Sequence, residues 1–216
     1  MVKGVIFDMD GVLVDTEWFY QTRREDFLRL MNFPSPPENG RFVGSNEKAI
    51  WEALVPGKPE FRQEMLMGYR AYRRLHPIPY EKLLNPQAPS VFVHLKLDGM
   101  KIGIASSSCA DAVREMTKAA GIESLVDCIV SGEDCAAHKP DPAVYLRTLE
   151  ALDLAPEDVI AVEDSPAGIT AAKRAGLRVY ALRPRAEMVL DQSAADAVID
   201  NLTDVLKLIW EPVGTR

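Results

Sequence analysis

The 216-residue sequence has few cysteines, few histidines and no long apolar run. Its three cysteines form no CxxC pair, which argues against a disulfide framework and favours a reducing compartment. The three histidines are scattered, so no cluster of histidine and cysteine metal ligands is visible. No apolar stretch approaches the ~20 residues that cross a bilayer, and no signal peptide is recognisable. We therefore expect a cytoplasmic protein without a membrane partner.

Basic residues are outnumbered, because 25 Lys and Arg stand against 32 Asp and Glu, for a formal net charge of -7. This balance argues against a nucleic-acid partner, since phosphate backbones attract basic surfaces. A small anionic substrate remains compatible with it, because a local site can be positive on an acidic protein. The length and the 47% hydrophobic content suit one globular domain, or one domain with a smaller insert. We expect a monomer.

Short apolar segments alternate with helical segments from about residue 100 onward. Strands are predicted at 2–8, 100–108, 126–132, 158–165, 177–182 and 196–200, and helices at 109–122, 141–152, 165–176 and 202–210. Ser108, Asp141 and Ser165 are predicted N-caps. Continuous apolar strands that alternate with helices indicate a doubly wound α/β fold with a parallel sheet.

Residues 17 to about 76 differ from the rest because they contain no convincing strand. Apolar residues recur at helical spacing in three segments, which proline- and glycine-rich stretches separate. We interpret this region as an all-helical insert, whose first helix Asp15 and Thr16 are expected to cap. Its basic segment at 69–76 is typical of a solvated helix face, and recognition of an anionic substrate is the alternative.

Chemically distinctive residues follow four strands or strand-loop connections. They are Asp8 with Asp10, the serines at 106–108, Lys139 before Pro140, and the segment 163–165. The carboxyl ends of parallel strands meet at one edge of a sheet, where ligand sites form. We expect these groups to converge there.

The expected cluster has the composition that phosphoryl transfer requires. Asp8, Asp10, Glu163 and Asp164 would repel one another, and a divalent cation such as Mg²⁺ would relieve that repulsion. Ser106, Lys139 and nearby helix N-termini would bind phosphate oxygens. With the phosphate charge neutralised, an aspartate could attack phosphorus.

The segments FDMDGVLVDT, ASSS, HKPDP and VEDSPAGI, in this order, resemble the four motifs of the haloacid dehalogenase superfamily. The match is closest to the branch that holds β-phosphoglucomutases and small-molecule phosphatases, in which a helical cap follows the first motif. The resemblance implies a Rossmann-like core at 1–16 and 80–216 and a cap domain at 17–79. Dehalogenases lack an aspartate at the position of Asp10, so its presence favours phosphate-ester chemistry.

The resemblance also implies a role for each matching residue. Asp8 would be the nucleophile that forms an aspartyl-phosphate, and Asp10 would be the general acid and base. The Mg²⁺ ligands would be Asp8, the main-chain carbonyl of Asp10, Asp164 and, as a further ligand or a partner of the ligands, Glu163. The phosphoryl group would be bound by Ser106, the Ser107 backbone N–H and Lys139.

Two features expected of a β-phosphoglucomutase are missing. Tyr20 stands where these mutases typically carry histidine, and the cap loop has no arginine after its glycine. We therefore predict a phosphatase that hydrolyses a small phosphomonoester such as a sugar phosphate. A sugar phosphomutase and a phosphosugar-binding regulator without turnover are the alternatives. The candidate substrate-binding residues are Tyr20, Gly44, Ser45, Asn46 and Lys48.

Overall fold

The computed structural model describes residues 1–34, 42–43, 45, 47–184 and 189–210. Its centre is a six-stranded sheet in the order β3-β2-β1-β4-β5-β6, and every neighbouring pair of strands is parallel. The strands are β1 (Gly4–Phe7), β2 (Lys101–Ser106), β3 (Cys128–Ser131), β4 (Val159–Glu163), β5 (Arg178–Leu182) and β6 (Ala197–Ile199). The predicted parallel α/β fold is confirmed.

Helices connect the strands and cover both faces of the sheet. Those before β2 are α1 (Glu17–Leu30), α2 (Glu47–Leu54), α3 (Pro59–Leu75), α4 (Tyr80–Leu83) and α5 (Ala88–Leu97). Those after β2 are α6 (Ala110–Ala119), α7 (Ala143–Leu152), α8 (Pro166–Arg174) and α9 (Asp204–Trp210). Within the described residues, no helix is both long enough and apolar enough to span a bilayer.

Two apolar clusters lie on opposite faces of the sheet, because successive side chains of a strand point to opposite sides. Val5 and Phe7 pack on one face with α5, α6 and α9, and the ring of Phe7 stacks on that of Phe92 at 4.8 Å. Ile6 packs on the other face with α7 and α8. Burial on both faces explains why the strands are continuous apolar runs.

A third apolar cluster belongs to helices α1, α2 and α3. The rings of Phe27, Trp51 and Tyr69 meet there at centroid distances of 5.4–6.1 Å. Among the described residues between 17 and 76 there is no strand, as the helical spacing predicts. The proposed boundaries of the cap domain remain a prediction, and this cluster supplies the apolar centre that such a domain needs.

Helix starts differ from the sequence prediction at two positions. Cys109, not Ser108, is the N-cap residue of α6, and its side chain makes no capping bond. Helix α7 begins at Ala143, one residue after Pro142, although the Asp141 carboxylate still accepts the Ala143 N–H. Ser165 caps α8 as predicted, by accepting the Gly168 N–H. Helix α5 lies in a segment where the sequence pattern predicts neither a helix nor a strand.

Candidate active site

Lys139 lies at the centre of a buried cluster at the carboxyl edge of the sheet. Its Nζ donates to Asp8 Oδ1 at 2.6 Å, to Glu163 Oε1 at 2.7 Å and to the Ala105 carbonyl at 3.1 Å. An ammonium group has three protons, so these partners use all of them. Burial lowers the pKa of Lys139, but Asp8 and Glu163 outweigh that effect and hold it above its usual range. The ammonium therefore stays charged.

Glu163 is held by donors on both carboxylate oxygens. Oε1 accepts the Tyr145 hydroxyl at 2.7 Å in addition to Lys139. Oε2 accepts the N–H of Asp164 at 3.0 Å, and the N–H and hydroxyl of Ser165 at 3.3 Å and 3.2 Å. The side chain is fully buried. These hydrogen bonds hold the Glu163 carboxylate in one orientation, and Glu163 in turn holds the ammonium group of Lys139 in position.

Two glycines allow carboxylates to approach the backbone closely. A Cβ atom at Gly168 would overlap the carboxylate of Glu163, and one at Gly11 would overlap that of Asp164. Gly11 also has a φ of +83°, which other residues rarely adopt. The glycine that follows Asp10 is therefore required by both conformation and space.

Among the described residues, hydroxyl groups rather than basic side chains donate hydrogen bonds to Asp10. Its carboxylate accepts the Ser108 hydroxyl at 2.8 Å and the Thr16 hydroxyl. Burial raises the pKa of Asp10, and these hydrogen bonds oppose the rise. Thr16 is the N-cap residue of α1, as predicted, but its side chain makes no capping bond, and the prediction that Ser108 caps α6 is wrong. Both hydroxyls donate to the buried carboxylate of Asp10 instead.

Asp8, Glu163 and Asp164 offer carboxylate oxygens that all lie within 4.8 Å of one another. Burial raises the pKa of Asp164 well above its usual range, and Glu163 and Asp8 raise it further. Burial likewise raises the pKa of Asp8, against the effect of Lys139. Within the part of the chain that the structure describes, no donor binds the Asp164 carboxylate. A divalent cation with oxygen ligands would fit this donor set.

The serines that follow β2 complete the edge. Ser106 is fully buried and its hydroxyl oxygen accepts the Ser108 N–H at 3.0 Å. Ser107 faces the adjoining cleft. The carbonyl of Ala105, which precedes Ser106, accepts a hydrogen bond from Lys139 and so joins this segment to the carboxylate cluster.

A cleft of about 1110 Å³ separates this edge from helices α1, α2 and α3. Asp8, Asp10 and Lys139 line its floor. Of the candidate substrate-binding residues, Tyr20, Ser45 and Lys48 line it, whereas Gly44 and Asn46 lie outside the described residues. The cleft gives a small molecule access to the buried carboxylates.

Residues 5–182 match the family model of haloacid dehalogenase-like hydrolases. The chain belongs to this family. It is 28% identical to a phosphoglycolate phosphatase of Aquifex aeolicus, with 96% of this chain and 97% of that protein covered. It is 31% identical to a beta-phosphoglucomutase of Bacillus subtilis, with 100% and 98% covered.

The fold agrees with that of solved members of the haloacid dehalogenase-like family. A crystal structure of beta-phosphoglucomutase from Clostridium difficile superimposes with a TM-score of 0.78 at 20% identity, and 96% of each chain is covered. This likeness supports the fold. The resemblance that the four motifs indicate is confirmed by the family match, and the chain is an enzyme of this family.

The structure brings the core residues predicted from the motifs to one place. Those that meet at the edge of the sheet are Asp8, Asp10, Ser106, Ser107, Lys139, Glu163 and Asp164. Sequence reasoning missed Tyr145, which orders Glu163 from helix α7. It also missed the contacts of Thr16 and Ser108 with Asp10. The only available signal was that both hydroxyls adjoin predicted motifs.

Proposed function

We propose that this enzyme is a phosphatase that hydrolyses a small phosphomonoester, such as a sugar phosphate, through an aspartyl-phosphate. The observation that carries the proposal is the pairing of Lys139 with Asp8 at the floor of an accessible cleft, next to Asp10. The printed names of two relatives, a phosphatase and a phosphomutase, agree with phosphate-ester chemistry. On the basis of its composition and charge, we also propose that the protein is a cytoplasmic monomer without a nucleic-acid or membrane partner.

The reaction has two steps in this proposal. A carboxylate oxygen of Asp8 attacks phosphorus, the ester P–O bond breaks, and Asp10 donates its proton to the leaving oxygen. Water then attacks the phosphorus of the acyl phosphate, Asp10 accepts a proton from that water, and the bond to Asp8 breaks to release phosphate. The raised pKa of Asp10 suits the first of these proton transfers.

Binding of the phosphoryl group falls to residues that are already positioned. Lys139 supplies a positive charge against its oxygens, and Ser106 and the Ser107 N–H supply hydrogen bonds. Glu163 and Tyr145 hold Lys139 in place, since both oxygens of Glu163 are occupied by donors. We therefore assign Glu163 to positioning Lys139 rather than to direct metal ligation.

Mg²⁺ would be held by Asp8, the main-chain carbonyl of Asp10, and Asp164. When bound, it would neutralise charge on the transferring phosphoryl group and relieve repulsion among the carboxylates. Asp164 fits this role because its buried carboxylate receives no hydrogen bond from the described residues, and it offers an oxygen within 4.8 Å of oxygens of Asp8 and Glu163.

Asp164→Asn is expected to stabilise the metal-free protein by about 1–3 kcal/mol at pH 8, because it removes a buried carboxylate without a donor. The sign follows from its raised pKa, since a native state that prefers the protonated form loses stability as pH rises above about 4. Mg²⁺ should raise the melting temperature of the native protein but not that of the variant. Denaturation with EDTA and with Mg²⁺ measures both effects.

Asp98→Asn is the control, since Asp98 is exposed and far from the cluster in sequence. It should leave both the stability and the Mg²⁺ effect unchanged. An equal Mg²⁺ stabilisation of the native protein and the Asp164→Asn variant would place the metal elsewhere.

The products formed in the presence of Mg²⁺ distinguish a phosphatase from a phosphomutase. We expect phosphate release from a panel of phosphorylated metabolites, and little isomerisation of β-glucose 1-phosphate in the presence of a sugar bisphosphate. Tyr20, which lines the cleft with Asp10, favours this outcome because it occupies the position at which the mutases typically carry histidine. Isomerisation without net phosphate release would instead establish the mutase, and binding without turnover would establish the regulator.

A further inference from the structure

The wall of the cleft that faces the sheet edge is basic. Helices α1, α2 and α3 line it with three acidic residues, Glu17, Glu47 and Glu52, and seven basic residues, Arg23, Arg24, Lys48, Arg62, Arg70, Arg73 and Arg74. The opposite wall carries the carboxylates of Asp8, Asp10 and Asp164. A substrate that enters the cleft therefore meets positive charge at the end away from the reacting carboxylates.

Arg23 differs from its basic neighbours in its surroundings. It is only 7% exposed, and its Nη1 donates to the His76 carbonyl at 3.0 Å. Its Nε is buried, and it has no hydrogen-bond partner in the described parts of the chain. No carboxylate among the described residues pairs with it, whereas Arg70 and Arg73 both bind Glu47. The guanidinium instead lies over aromatic rings, 5.0 Å from the centroid of Phe19.

Tyr80 presents a second buried polar atom in the same cleft. The residue is 6% exposed, and no described residue forms a hydrogen bond with its hydroxyl. Tyr80, Arg23 and Asp10 all line this cleft. Asp10 is the residue proposed to protonate the leaving oxygen. Tyr80 and Arg23 therefore adjoin the space for the leaving group.

We propose that Arg23 and Tyr80 form a subsite for a second acidic group, carried by the leaving-group portion of the substrate. Preferred substrates would be phosphomonoesters that also bear a carboxylate or a second phosphate. A buried guanidinium without an anion costs free energy, because its charge is removed from water. A hydroxyl group of the substrate could accept a hydrogen bond from Arg23 but could not balance its charge, whereas an anionic group could do both. The inference rests on the proposed phosphatase activity and narrows its substrate class.

Two matched pairs of phosphomonoesters test the subsite and separate its two possible anions. Phosphoglycolate is compared with ethyl phosphate, and propane-1,3-diol bisphosphate with propane-1,3-diol monophosphate. We expect kcat/KM to favour the member with the second anion by about tenfold or more in at least one pair, as one charge-assisted hydrogen bond supplies. The pair that shows the larger ratio identifies the anion.

Substitutions test whether Arg23 and Tyr80 cause the preference for the ester with the second anionic group. Arg23→Gln should reduce the selectivity ratio about tenfold, and Arg23→Lys should restore part of it. Tyr80→Phe should reduce the ratio less, and it removes a hydroxyl without a partner, so the fold is retained. Arg29→Gln is the control on the same helix, since Arg29 is exposed and pairs with Asp26. It should leave the ratio unchanged.

The Kd ratios for the same pairs, measured by calorimetry on the Asp8→Asn variant, do not depend on turnover. A preserved Kd preference without turnover in the native protein would support the subsite while contradicting the phosphatase. Turnover of all four esters with ratios near one, or ratios that Arg23→Gln and Tyr80→Phe leave intact, would overturn the subsite and leave the phosphatase standing.

Discussion

Asp8→Asn is expected to lower kcat/KM for phosphomonoesters on the order of 10⁴-fold or more, because an amide cannot form the acyl phosphate. The amide oxygen is nearly isosteric with the carboxylate oxygen, so it can still accept a hydrogen bond from Lys139. Lys139 also keeps its bonds to Glu163 and the Ala105 carbonyl. Loss of turnover would therefore reflect the missing nucleophile and not a collapsed site. Phosphate release, measured at saturating Mg²⁺, gives the result.

Two further measurements separate this explanation from a damaged fold. Mass spectrometry of native protein quenched during turnover should find one phosphoryl group on the peptide that contains Asp8. Asp111→Asn is the matched control, since this aspartate is exposed and pairs with Arg114 on helix α6. It should retain native turnover. An Asp8→Asn variant that turns over at the native rate would rule out the nucleophile assignment.

The parallel sheet and the gathering of the motifs at one edge could be predicted because they depend on local patterns. Continuous apolar runs such as β1 indicate strands that are buried on both faces. The polar residues that end those runs then fall on the same edge, since the strands are parallel. Asp8, Asp164 and Lys139 come from distant parts of the chain, and this single rule brings them together.

The hydrogen-bond partners could not be predicted because they depend on competition in three dimensions. Thr16 and Ser108 look like helix caps, but neither side chain makes a capping bond, and both hydroxyls donate to the carboxylate of Asp10. A buried carboxylate is a strong acceptor, and its position is set by the fold rather than by the local sequence. Tyr145 has no local signal at all, since an apolar helix position accounts for it equally well. Only the packing of α7 against the sheet shows that its hydroxyl reaches Glu163.

Arg23 illustrates the same limit for substrate recognition. In the sequence it is one basic residue among several on amphipathic helices, and such residues are most often solvated. Its burial and the absence of a carboxylate partner among the described residues are visible only when α1 is packed against α3 and the cleft. The motifs therefore define the reacting centre, while the selectivity of the cleft depends on contacts between helices.

Lys139→Ala is expected to lower the free energy of unfolding by about 3–5 kcal/mol, the usual cost of removing one partner from a buried ion pair. Asp8 and Glu163 would then lie close together without the ammonium group between them. Water could not compensate for its loss, because both side chains are at most 9% exposed. Lys173→Ala is the matched control, because its ion pair with Asp196 is exposed and should contribute only about 0–1 kcal/mol. Chemical denaturation in EDTA compares the two variants.

The pH dependence of that loss tests its electrostatic origin. Burial raises the pKa of Asp8 and Lys139 opposes that rise. Without the ammonium the pKa of Asp8 would rise further, so the folded variant would bind protons more readily than the unfolded chain. The deficit of Lys139→Ala relative to native protein should therefore be largest at pH 8 and shrink toward pH 5. A deficit that is the same at both pH values would mean that Lys139 stabilises the fold by packing, for example against the Tyr145 ring at 5.0 Å, rather than by charge.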